Sequence, residues 1–208
     1  VLLHGVQRQE SFEVQVKAPR VEKTAVLDFI NSEHCTIVRG AHYKQYDHYF
    51  IFANEDPDSA RLRYREDEFV DDEGQVYQTR TRLTLVGEGE RQEFPNAVML
   101  SRSRFLADAD RSLRFYREYF APESEIEVMK DRLRWHIIYK QTDFAINFDK
   151  VVQPDVPGNF LEIKSRTWSR SDAERKAGLM AEILSLVGVS LETAERQEYA
   201  EIAQKAGN

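Results

Sequence analysis

Hydrophobic and polar residues alternate along much of this chain. From Ser11 to Lys17, Phe12, Val14 and Val16 are apolar, while Glu13, Gln15 and Lys17 are polar. Successive side chains on a strand point to opposite faces, so this segment predicts a strand with one greasy and one polar side. The same reasoning predicts strands over Cys35–Val38 and Tyr43–Phe52, with Gly40 in the turn between them. Further strands are expected over Arg61–Glu66, Val76–Val86, Ile126–Tyr139, Phe144–Val151 and Phe160–Arg166. Asp71-Asp72-Glu73-Gly74 has hairpin chemistry. A period near 3.6 marks Val21–Asn31, where Val26, Phe29 and Ile30 share a side, and Ala109–Phe120, where Leu113, Tyr116 and Phe120 do. Ser171 and Glu174 have capping-box spacing and open a helix with Ala177, Met180, Ala181, Leu184 and Val187 on one side. A short helix is expected from Leu191 to Gly207.

About eight strands joined by hairpins predict a mainly β, α+β fold: an eight-stranded antiparallel barrel with packing helices. An open sheet with helices on one face is the alternative. The expected organisation is one domain over 11–189, with an N-terminal extension at 1–10 and a helical C-terminal extension at 190–208.

Charge sharpens this picture. The formal net charge is −7, which argues against nucleic acid or an anionic membrane surface as a partner. The polar strand faces nevertheless carry Arg61, Arg63 and Arg65; Arg80, Arg82 and Thr84; Lys130, Arg132, Arg134 and His136; and Glu162, Lys164 and Arg166. Any one such face is ordinarily the solvated side of a sheet. Repeated on most strands of an acidic protein, and closed inside a barrel, these cations would repel one another unless an anion bound among them. A polyanion answers that field.

Other residues narrow the chemistry. A single cysteine, Cys35, excludes an internal disulfide and a cysteine-based zinc site, which suits a reducing, cytoplasmic setting. Cys35 itself reads as a small buried residue. No apolar run has the length of a membrane span. The chain starts at Val1 rather than Met, and an upstream domain of a longer chain is an expected partner. His42 and His48 lack a third ligand at a metal-binding spacing. His136 lies on the basic face, within reach of a phosphate. Gly87-Glu88-Gly89 opens no helix, so it does not read as a phosphate loop. Trp168 and Tyr199 read as packing residues rather than platforms for a base.

The polar faces also carry a motif series. Glu13-Val-Gln15-Val-Lys17 is followed by Gln45-x-Asp47-x-Tyr49-Phe50, Leu62-Arg63-Tyr64-Arg65 and Leu83-Thr84-Leu85-Val86-Gly87. Arg91-Gln92-Glu93, Lys130-x-Arg132, Phe148-Asp149 and Gly158-Asn159-Phe160-Leu161-Glu162-Ile163-Lys164 complete it. In order and spacing the series resembles the CYTH superfamily, or triphosphate tunnel metalloenzymes, over Ser11 to Val189. That group includes class IV adenylyl cyclases, thiamine triphosphatases and inorganic triphosphatases. The resemblance implies an eight-stranded tunnel that binds a triphosphate or nucleotide and hydrolyses it with Mg²⁺ or Mn²⁺. It implies Glu13, Lys17 and Glu162 as catalytic residues. It implies Arg63, Arg65, Arg82, Arg91, Lys130 and Arg132 as phosphate ligands, and Glu13, Glu93, Asp149 and Glu162 as metal ligands. Gln15 and Lys164 stand where the family motifs have glutamates, and Val86 where they have a lysine. Gln15 and Lys164 motivate an alternative to hydrolysis, a catalytically weakened module that senses a polyphosphate or nucleotide and regulates a partner domain; Arg80 or Arg82 on the same strand face would compensate Val86.

Overall fold

Period-two alternation builds one antiparallel sheet. The computed structural model of the chain describes residues 12–53, 61–86, 92–93, 99–102, 105–195 and 197–206. The strands are β1 (Phe12–Pro19), β2 (Cys35–Ile51), β3 (Arg61–Val70), β4 (Val76–Val86), β5 (Gln92–Glu93), β6 (Met99–Arg102), β7 (Phe105–Asp108), β8 (Ser124–Tyr139), β9 (Thr142–Gln153) and β10 (Phe160–Thr167). The helices are α1 (Lys23–Ile30), α2 (Leu113–Phe120), α3 (Arg170–Leu186) and α4 (Tyr199–Ala206), with a 3-10 turn at Leu191–Thr193.

The mainly β fold with packing helices matches the expectation; the strand count and closure do not. Among the described residues the sheet has ten strands, in the order β5-β6-β1-β10-β9-β8-β2-β3-β4-β7. Two short strands, β5 and β7, end it, so no ladder among the described residues closes the barrel. The sheet curls instead, and one cavity is lined by residues from β1, β4 and the strands between them.

Two local expectations are corrected. Gly40 is not a turn: β2 runs unbroken from Cys35 to Ile51, and a bulge between Ile37 and Arg39 shifts its register against β8. Gly40 faces Trp135, whose Cδ1 would lie 3.4 Å from an added Cβ. Helix α3 begins earlier than the Ser171 spacing suggested. The Ser169 hydroxyl accepts from the Asp172 N–H at 3.2 Å and caps it, and Glu174 pairs with Arg170 instead.

The main core lies outside the curl. Val14 and Val16 of β1, Phe144 and Ile146 of β9, and Leu161 and Ile163 of β10 pack against Phe29 and Ile30 of α1 and Met180, Ile183 and Leu184 of α3. A second outer cluster sets Tyr116 and Phe120 of α2 on Phe50 and Tyr64. Helices thus cover the apolar side of β1, β9 and β10 and part of β2 and β3, while Tyr77 and Leu85 of β4 stay exposed; the alternation sends the polar side inward. Along the inner face of β8 the residues change from Ile126 and Val128 to Lys130, Arg132 and Arg134. The apolar end is filled by Tyr199, Ala200 and Ala203 of α4, which pack with Ile126, Val128, Val151 and Phe160.

Candidate anion-binding site

The inward faces surround a cavity of about 1060 Å³, lined by eleven Lys and Arg side chains against two carboxylates, Glu13 and Asp143. Cross-strand register sets much of this lining over buried acids. Asp47 lies directly opposite Arg65, and Arg132 opposite Asp149. Arg65 donates from Nε and Nη2 to Asp47 at 2.5 and 2.7 Å. Arg132 makes the same fork to Asp149. Asp67 accepts from Gln45 at 2.6 Å, Arg80 at 2.9 Å and Arg82 at 2.6 Å. A guanidinium has five donors, so a fork held from below leaves donors for a ligand above. Burial alone would raise the Asp47 carboxyl, but Arg65, Lys130 and Arg63 outweigh it and hold it well below the usual carboxylate range. Asp47 therefore stays ionised and orients Arg65.

Of the residues implied by the motifs, Arg63, Arg65, Arg82, Arg132 and Glu13 line the cavity. Asp149 and Glu162 lie buried behind the lining. Lys17 and Lys130 are set apart under α4: their ammonium groups sit 4.3 and 4.2 Å from the centre of the Tyr199 ring. Lys17 also donates to the Gln197 carbonyl at 2.5 Å. Arg91 and the Glu93 side chain lie outside the described residues. Three buried polar residues carried no assigned role in the sequence: the acceptors Asp47 and Asp67, and Gln45, which donates to Asp67. Asp67 extends the parity of Arg61, Arg63 and Arg65 by one step, and was missed because the strand was ended at Glu66. Tyr199 is buried as expected, and it also donates to Asp149 at 2.5 Å. Trp168 differs from its expected packing role: it is 66% exposed and lines the cavity.

His136 lines the cavity as a hydrogen-bond acceptor. Its Nε2 receives Arg39 at 3.1 Å and Arg134 at 3.2 Å. Burial, Arg134 and Arg39 push its pKa down to about 4.

The described carboxylates do not fit a divalent ion. Lys164 Nζ lies between two of them, 3.1 Å from Glu162 Oε1 and 3.5 Å from Glu13 Oε1. Glu162 Oε2 accepts from Asn147 at 2.9 Å and lies 3.4 Å from Arg132. Both Asp149 oxygens receive Arg132, and one also receives Tyr199. Mg²⁺ and Mn²⁺ need several oxygen lone pairs, and here those lone pairs face N–H and O–H donors. Three buried amide oxygens, Gln15 Oε1, Gln45 Oε1 and Asn147 Oδ1, accept no hydrogen bond, but they are neutral. A divalent ion about 4 Å from the Lys164 ammonium would meet a repulsion of about 8 kcal/mol at an effective dielectric of about 20. Elsewhere, His48 gains the neighbours that its sequence spacing lacked, Glu125 and Glu127 at 3.8 and 3.4 Å. Arg117 already holds both carboxylates, at 2.7 and 2.8 Å.

No family model and no curated protein matches the sequence. Solved structures do match the fold. A protein of Pyrococcus horikoshii superposes with a TM-score of 0.69 at 19% identity, covering 93% of this chain and 98% of its own. A Vibrio parahaemolyticus protein named as a candidate adenylate cyclase gives 0.65 at 14% identity, over 94% of this chain and 99% of its own. The Mimivirus capping enzyme triphosphatase gives 0.51 at 13% identity, over 89% of this chain and 94% of its own. These likenesses are of fold: a curled antiparallel sheet with packing helices, as the motif series implied, here without a closing ladder among the described residues.

Proposed function

We propose that this chain binds a triphosphate-bearing anion in its basic cavity, and acts as a binding module. The observation that carries this reading is the lining itself, eleven cations against two carboxylates around one cavity in a protein whose net charge is −7. Buried acids hold the lining arginines in place, so the binding geometry exists before the ligand arrives, which lowers the cost of ordering it. A ligand with several closely spaced negative charges matches this array better than a single carboxylate or sulfate. The Mimivirus relative, named for acting on a triphosphate, supports the same ligand class.

Calorimetric titration with inorganic triphosphate, phosphate and sulfate tests it. Triphosphate should bind at least tenfold tighter than either simple anion; equal affinities would reduce the cavity to a nonspecific basic surface. Occupancy would then be a signal to a partner domain, the sensing role that Gln15 and Lys164 favour.

A second reading is hydrolysis, favoured by the fold shared with the Mimivirus triphosphatase. Glu13, Lys17 and Glu162 would be its reacting residues. Phosphate release from inorganic triphosphate, ATP or GTP with Mg²⁺ or Mn²⁺, lost in Glu13→Ala, would establish it. Absence of release alongside tight binding leaves the binding module.

A further inference from the structure

Lys164 stands among carboxylates that the motif series implies for a metal. Its Nζ bridges Glu13 and Glu162, its side chain is 12% exposed, and it lines the cavity. In the β1–β10 register its partner is Gln15, a neutral residue, while Lys17 faces Glu162. One ammonium therefore serves two carboxylates, with Arg132 as the second cation at Glu162.

We infer that Lys164 is a built-in cation occupying the place of a divalent ion, so that the anion is held by protein cations alone, without added metal. This rests on the binding reading above. An ammonium has three N–H donors. Glu13 and Glu162 pair with it as ions at 3.5 and 3.1 Å, which holds its charge at the cavity wall, next to the ligand. The donors of a divalent site are thereby spent on a covalently tethered cation that no chelator can remove. The two substitutions at Gln15 and Lys164 act together. A glutamate at 15 would add a carboxylate facing Lys164 and restore acidic density, whereas glutamine leaves the ammonium with a balanced pair.

The test uses the full chain in two arms. In the first, inorganic triphosphate is titrated calorimetrically with EDTA and again with Mg²⁺. Affinity in EDTA should equal or exceed that in Mg²⁺, because the fully charged anion meets an all-protein site. Binding lost in EDTA and regained with Mg²⁺ overturns the inference and leaves the ligand class standing. In the second, Mn²⁺ binding to the protein alone is read by electron paramagnetic resonance. The parent chain should leave the Mn²⁺ spectrum that of the free ion, and Lys164→Glu should bind it. Mn²⁺ taken up by the parent and released in Glu162→Gln overturns the inference. Lys164→Met, which adds no repulsive carboxylate, guards against misfolding of Lys164→Glu. It should weaken triphosphate at least tenfold in EDTA with an unchanged circular dichroism spectrum, and unchanged affinity counts against the inference. If triphosphate binds under no condition, the proposed function falls, and the Mn²⁺ arm still decides the role of Lys164.

Discussion

Tyr199 donates its phenolic hydrogen to Oδ2 of Asp149 at 2.5 Å, from a helix at the far end of the sequence. The same ring lies over Lys17 and Lys130. One aromatic residue thus satisfies a buried acid and covers two buried cations. Tyr199→Phe keeps the ring and removes the hydrogen bond. A hydrogen bond to a charged group contributes about 1.5–3 kcal/mol, so the variant should be destabilised by about that amount in urea unfolding. A change near zero would show that Arg132 alone satisfies Asp149.

Asp149 and Arg132 form a fully buried fork. Removing one partner leaves the other charge unpaired, which costs about 3–5 kcal/mol. Asp149→Ala should lose that much stability. Pairing it with Arg132→Met should recover a large part of the loss, and a purely additive double variant would contradict the coupling.

Arginines that line the cavity should separate from lysines beneath α4. Arg82→Ala removes charge-assisted bonds to a ligand, about 1.5–3 kcal/mol, or roughly 10- to 150-fold in triphosphate affinity. Lys17→Met should lower the melting temperature and leave that affinity within about threefold, since Tyr199 and Gln197 hold its ammonium. The reverse pattern would place the ligand against α4.

His136 sets a pH dependence. Its folded pKa, about 4, lies below the ordinary value of 6.5. The unfolded chain therefore binds more protons between those values, and stability falls as pH drops through that window. Burial opposes the depressed carboxyls of Asp47 and Glu162, but their neighbouring cations win, so they lose stability in the same direction as pH falls through their folded values. Nuclear magnetic resonance should show a neutral His136 at pH 6, titrating near 4, and triphosphate should shift that titration upward. A free-chain midpoint near 6.5 would mean that Arg39 and Arg134 do not face the imidazole.

Strand parity made most of the site legible. Arg63, Arg65, Arg82, Arg132 and Lys164 all lie where alternation against their apolar neighbours puts them. What alternation could not supply was the partner across the ladder. Asp67 was lost to a strand ended one residue early. Asp47 lies on a face shared with Tyr43 and Tyr49, so no polar stripe marked it. The sequestering of Lys17 and Lys130 depends on Tyr199, more than sixty residues beyond Lys130, and no local pattern encodes that contact. The missing closure has a similar cause: β5 and β7 are too short to show any period.

The inner face of β8 runs from Ile126 and Val128, under α4, to Arg132 and Arg134. On β10, Phe160 sits at the α4 end and Arg166 lines the cavity, as does the exposed Trp168 just past the strand. The curl is thus stoppered at one end and charged towards the other, a socket rather than a pipe. On the proposed function, a ligand would enter phosphate-first and leave the rest of itself outside. Such a socket reads the end of a molecule and ignores its length, so a long polyphosphate chain and inorganic triphosphate should bind with comparable affinity per chain end.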